Sequence, residues 1–224
     1  MLSGSTRIIQ ILACPQCWSQ VKVAEQERVL RIAHVVETMH VGGAEVLVAL
    51  LCRMQRAQGC TPAVHCIFAR GRIAEELACE GFPVHLHGPA SRWTMMRKLY
   101  RAFATDRPDI VHLHNATPTI LGAAPARLAG VKCAISTRHG LVPPPYSWKR
   151  EVQFSLAARF CNFVVAVCKT AERNLAGAPL AARRKIVTVL NGAVAQPLDG
   201  TGGPEERQPG FTLVTVGRLV PEKD

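Results

Sequence analysis

LRIAHVVETMHVGGAEVLVALLCRMQRAQ, residues 30–58, carries two periodicities with a glycine pair between them. Residues 30–37 form a β-branched run of strand length, and residues 44–58 place Val46, Leu47, Leu50, Leu51 and Met54 on one face at helical spacing. A buried-type strand feeding straight into a helix opens a β-α-β unit. The alternation continues outward from there. Further strands are expected at 62–68, 83–87, 109–114, 132–138, 163–167 and 185–190, and further helices at 92–104, 118–129, 147–161 and 170–176. Short apolar strands separated by helices specify a parallel sheet covered on both faces. The expected fold class is therefore α/β, a doubly wound parallel sheet over residues 30–196.

Outside that span the composition changes. Residues 1–29 are mixed and end in the polar AEQER, which reads as a poorly ordered extension. PLDGTGGPEERQPG (197–210) reads as a linker. FTLVTVG (211–217) reads as one more strand, and a lone strand cannot bury itself, so 211–224 is expected to open a truncated second domain.

Hydrophobic residues make up 48% and charged residues 19% of the 224, which excludes a mainly disordered chain. No run approaches the ~18–20 apolar residues of a membrane span. The opening MLSGSTRIIQILACPQCW makes a poor secretory signal, and a cytoplasmic protein is expected. The net charge of +11 favours anionic partners. Nucleic acid is not expected among them, because the basic residues are dispersed and no helix-turn-helix or RNA-binding signature occurs. The nine cysteines are scattered and are expected to be reduced thiols. Cys14 and Cys17 have zinc-like spacing, but no second ligand pair follows, so no metal site is expected.

Three motifs could carry chemistry. Val41-Gly-Gly-Ala-Glu45 lies between the first strand and the first helix. Gly42 and Gly43 would let a ligand approach the backbone, and the helix N-terminus offers N–H groups to a phosphate. A tight turn that needs glycine for its own sake is the alternative. The GxGxxG pattern is absent, which argues against a nicotinamide-dependent oxidoreductase. In Asp109-Ile-Val-His-Leu-His-Asn115, His112 and His114 share one orientation, and His114 lies nearer the carboxyl edge beside Asn115. A histidine there can bind a hydroxyl or phosphate, or move a proton near neutral pH; the alternative is a core histidine. Thr137-Arg-His-Gly140 brings Arg138 and His139 towards the same rim. Near the end, Asn191-Gly192 closes a strand, and Arg218 and Lys223 could clamp a diphosphate.

VGGAE, DIVHLHN, TRHG, FVVAVCKTAERNL, KIVTVLNG and VGRLVPEKD resemble, in order and spacing, the motifs of family 4 glycosyltransferases of the GT-B type, over about residues 31–224. The resemblance implies two Rossmann-like domains across a cleft, this one mostly on the acceptor side. It implies hexosyl transfer from a nucleotide sugar to a glycan or lipid-linked acceptor, with retention of configuration and without a metal or other cofactor. By motif position His114 is the active-site residue. Gly42, Gly43, Glu45, Asn115, Arg138, His139 and Asn191 bind substrate, and Arg218 and Lys223 neutralise the leaving β-phosphate. Two departures stand out. Cys168 replaces the usual serine, and the E-x7-E glutamates that the family carries in its donor domain have no counterpart in 211–224. Residues 1–224 alone are therefore expected to transfer no sugar. The alternative function is a non-catalytic sugar- or lipid-binding module.

Residues 92–103 are amphipathic as a helix. Trp93, Met95, Met96, Leu99, Tyr100 and Phe103 fall on one half of the wheel, and Arg97, Lys98 and Arg101 oppose them. Such a segment can lie peripherally on an anionic membrane, or simply pack on the sheet with its basic face in solvent.

Overall fold

The structure, a computed structural model of the chain, describes residues 29–140 and 147–192. The extension, Cys14, Cys17, the linker, the strand expected at 211–217, Arg218 and Lys223 lie outside the described residues.

Seven strands form a wholly parallel sheet: β1 (Arg31–Thr38), β2 (Thr61–Ala69), β3 (Val84–Leu86), β4 (Ile110–His114), β5 (Cys133–Arg138), β6 (Phe163–Ala166) and β7 (Ile186–Thr188). Their order is β3-β2-β1-β4-β5-β6-β7. All seven coincide with expected strands. The helices are α1 (Gly43–Ala57), α2 (Gly71–Cys79), α3 (Arg92–Asp106), α4 (Ala116–Leu128), α5 (Trp148–Ala158) and α6 (Lys169–Gly177). The chain steps one way from β1 to β3, then crosses back and steps the other way from β4 to β7. Right-handed crossovers then put α1 and α2 on one face and the remaining helices on the other. The cores agree. Val36, Val64 and Cys66 pack with Val48, Ala49, Cys52, Ile73 and Leu77. Ala33, Val35, Val111 and Leu113 pack with Met95, Leu99, Phe103, Leu121 and Ala126.

The structure corrects three expectations. The first concerns α2, which sequence analysis did not anticipate. Its nine residues bury Ile73, Ala74 and Leu77, too short a stretch for periodicity to stand out. The second concerns the phase of α1. Val48, Ala49, Cys52 and Gln55 face the sheet, whereas Val46 is 54% exposed and Leu47, Leu50, Leu51 and Met54 are half-buried. The helix is apolar around most of its circumference, so period alone cannot choose the phase. Small residues on the inner strip let the helix approach the strands closely. The third concerns α3, where Met95, Leu99 and Phe103 pack on the sheet but Trp93 and Tyr100 stay exposed, at 77% and 41%. Lys98 is not part of a free basic face, because its amine donates to the carbonyl of His87.

α2 also positions the glycine segment. Met39 donates to Arg70 O and accepts from Ile73 N, both at 3.0 Å. Gly71 makes this clamp feasible, since its φ is +73° and a Cβ there would lie 2.5 Å from His40 N.

Candidate active site

The strand order reverses between β1 and β4, and in open parallel sheets ligands bind beyond the carboxyl ends at such a switch point. A groove of about 340 Å³ occupies that place. Its walls include Thr38 at the end of β1, Ala44 and Glu45 in the first turn of α1, His114 and Asn115 at the end of β4, and Arg138 at the end of β5.

The glycines have no local reason to be glycine. Gly42 is extended, with φ at −167°, and neither it nor Gly43 has positive φ. A Cβ on Gly43 would meet open space, and one on Gly42 only the movable Glu45 carboxylate. The tight-turn alternative thus lacks support in the backbone. Gly42 caps α1 without a side-chain hydrogen bond, so the first N–H groups of the helix remain available at the groove.

Beneath the groove runs a chain of hydrogen bonds among buried histidines. His34 Nε2 lies 2.8 Å from Gln55 Oε1, His34 Nδ1 lies 3.0 Å from His114 Nε2, and His114 Nδ1 lies 2.9 Å from His139 Nε2. With Gln55 Oε1 as acceptor, every ring donates through Nε2 and accepts through Nδ1. The chain ends on His139 Nδ1, which is buried and has no partner. Both nitrogens of His114 are thereby engaged, and the free lone pair is delivered at His139. His112 shares the orientation of His114, as its spacing implies, and bonds Thr137 Oγ1 at 2.7 Å. Burial pushes His34 and His139 down to about 4, and holds His112 and His114 well below the usual histidine range, with neighbouring histidines adding to the effect on the last two. All four rings are therefore neutral near pH 7.

Asn115 ties the rim together. Its φ of +71° is a conformation non-glycine residues rarely adopt. Its Oδ1 accepts from His139 N at 3.0 Å, its N–H donates to Thr137 O, and its carbonyl accepts from Thr119 Oγ1. Strain held in this way at a groove is a mark of a functional position. Arg138 is less free than its motif suggests. Its guanidinium makes a two-pronged contact with the buried Glu151 on α5, with a shorter arm of 2.7 Å, and sits 4.9 Å over the ring of Phe154. It stiffens the wall and retains further donors for a ligand.

Of the expected substrate-binding residues, Glu45, Asn115 and Arg138 line the groove, as does His114. Gly42, Gly43 and His139 stand within two residues of lining residues in the chain without lining it themselves, and Asn191 is exposed and lies past β7. Four contributors were not singled out from the sequence: His34, Gln55, Glu151, and Arg150, which lines the groove and donates to Thr117 Oγ1. For His34 a signal existed, an unexplained histidine inside an apolar strand. Gln55 and the α5 residues carried none.

Comparison with known proteins matches residues 41–195 to the model of Glycosyltransferase Family 4. The chain is 28% identical over 146 residues to the Escherichia coli UDP-Gal:alpha-D-GlcNAc-diphosphoundecaprenol alpha-1,3-galactosyltransferase, covering 56% of this chain and 36% of that protein. Among solved structures it is similar to Anabaena Alr3699/HepE in complex with UDP and glucose, with a TM-score of 0.62 and 18% identity over 73% of this chain and 45% of that one. A glycosyltransferase from Rickettsia africae gives 0.57 and 18%, over 73% and 43%. The chain thus spans less than half the length of these relatives, and its sheet is the Rossmann-like layer of their GT-B fold. With the family match covering most of the sheet and the groove that the sheet supports, the chain belongs to glycosyltransferase family 4.

Proposed function

We propose that residues 30–192 form the acceptor-side wall of a cleft in which a hexosyl group passes from a nucleotide sugar to a glycan or lipid-linked acceptor. The observation that carries this reading is the convergence of the α1 N-terminus, Glu45, His114, Asn115 and Arg138 on one groove. The helix N-terminus and the open space at Gly43 suit a diphosphate. The neutral histidine chain leaves one lone pair, on His139 Nδ1, which can accept from a hydroxyl. The relatives' names, with UDP-galactose for one and UDP with glucose for another, support a UDP-hexose donor. Retention at the anomeric carbon, neutralisation of the leaving diphosphate by Arg218 and Lys223, and transfer without a metal or other cofactor belong to the same proposal. So does binding without turnover by a polypeptide limited to residues 1–224, which supplies part of the length of its relatives.

Backbone NMR of the 224-residue chain titrated with UDP-glucose, UDP-galactose and a glycan diphospholipid analogue tests it. Shifts are expected at Gly42, Gly43, His114 and Asn115. Gly43→Val should weaken binding at least about tenfold, a loss of roughly 1.4 kcal/mol, while leaving the urea midpoint unchanged. Shifts confined to other parts of the sheet, or unaltered binding by Gly43→Val, would remove the proposal.

Peripheral contact with an anionic bilayer forms a second part. Trp93 and Tyr100 stand exposed on α3 beside the exposed Arg97 and Arg101, a pairing suited to lipid headgroups. No helix among the described residues is long and apolar enough to cross a membrane. Arg97→Glu with Arg101→Glu should reduce sedimentation with phosphatidylglycerol vesicles several-fold; equal sedimentation would count against this contact.

A further inference from the structure

A second histidine cluster lies on the opposite face of the sheet, away from the groove described above. His65 in β2 and His85 in β3 are register partners, with rings stacked 4.8 Å apart, and Asp106 closes α3 beside them. One ligand atom from each of the three lies within 4.8 Å of the others. His65 is 1% exposed, yet its Nε2 has no hydrogen-bond partner. It faces Asp106 Oδ2 across 3.8 Å, too far for a hydrogen bond. Its other nitrogen, Nδ1, lies 3.2 Å from His87 Nε2. When Nδ1–H donates to His87, Nε2 is a bare lone pair directed at a carboxylate oxygen. Two acceptors facing each other across such a gap leave room for a cation between them.

We propose that His65, His85 and Asp106 bind a divalent first-row transition-metal ion of the zinc class. Two imidazoles and a carboxylate are a ligand set for such an ion. His87 acts behind the first ligand, holding the His65 ring and its tautomer as partners of metal-bound histidines do. His85 and Asp106 are accessible enough to close from their present spacing to that of bonds of about 2.0–2.2 Å. A groove of about 500 Å³, lined by His65, His85, Asp106 and the starts of β1 and β2, leaves the fourth position open to water or a small ligand. The ion would tie β2, β3 and the end of α3 together at the edge of the sheet.

The experiment is equilibrium dialysis of the full 224-residue chain with Zn2+, with Co2+ absorption as a coordination readout and long-range proton–nitrogen NMR of the histidine rings. One ion per chain is expected, with His65 Nε2 the nitrogen whose resonance moves. His85→Ala and Asp106→Asn, both at accessible positions, should each weaken binding at least about tenfold, with circular dichroism unchanged. Cys14→Ser with Cys17→Ser should leave it intact. Retention of binding in both His85→Ala and Asp106→Asn overturns the assignment. Loss in the cysteine pair, or in His114→Gln, overturns it equally by giving the ion to other ligands.

Discussion

Glu151→Ala should destabilise the domain by about 3–5 kcal/mol, because it strands a buried guanidinium. The side chains of Arg138 and Glu151 are 10% and 3% exposed, and their contact is 2.7 Å. Neither charge has bulk water to fall back on once its partner is gone. Domains of this size have total stabilities of roughly 5–15 kcal/mol, so the variant should melt about 6–20 °C lower. The pair itself is worth much less than its rupture costs, since forming it required desolvating both ions. Arg138→Leu combined with Glu151→Leu should therefore regain most of the loss. Urea denaturation of both single variants and the double variant measures this. A Glu151→Ala cost below about 1 kcal/mol would mean that water already reaches the pair. Because Arg138 ends β5 and α5 carries Glu151, the same variant should also loosen the wall of the groove.

Acid should unfold the protein earlier than its carboxylates alone would. His34 and His139 have folded values of about 4, His65 about 3, and His112 and His114 lie well below the ordinary range, all chiefly because burial penalises the charged ring. Unfolded, each titrates near 6.5. Between about pH 6.5 and 4 the unfolded chain takes up protons that the folded one refuses, so stability falls as pH falls and is restored as pH rises. Each ring contributes at most about 1.4 kcal/mol per pH unit in that window, and five together amount to several kcal/mol by pH 5. Urea midpoints should drop steeply from pH 7 to 5, and less steeply in His139→Gln, which removes one titrating ring. A level profile over that interval would show that these rings are solvated or already charged. Glu80 and Glu172 are held below the usual carboxylate range by hydrogen bonds to Arg53 and Thr188, so their contribution is lost only at still lower pH.

The glycosyl-transfer reading and the zinc-class site use different histidines on different faces, so the failure of one leaves the other standing. Gly43→Val bears on the start of α1, whose next residues Ala44 and Glu45 line the groove, whereas His85→Ala bears on the sheet edge.

Much of the architecture was open to a reader of the linear chain, for a definite reason. Strands buried on both faces are rich in apolar residues, and the five inner strands stood out as such runs between polar turns in spite of His34, His65, His112 and His114. The edge strands β3 and β7 are exposed or half-buried. His112 and His114 could be set on one face because side chains alternate along a strand. What local pattern could not supply was phase and partnership. α1 is apolar nearly all round, and only packing decided that Ala49 and Gln55 turn inward while Val46 turns out. The histidine chain needs β1 beside β4, which brings His34 to within 3.0 Å of His114 across eighty residues of sequence. The zinc-class cluster likewise needs β2, β3 and the end of α3 to meet. The sequence by itself determined which segments are strands, where the glycine turn falls and which family the chain resembles, because those follow from side-chain chemistry within a few neighbouring residues. Only the tertiary structure decided which nitrogen is free, which arginine is neutralised and which histidines share a site, because each depends on contacts that exist only after the strands have taken their order in the sheet.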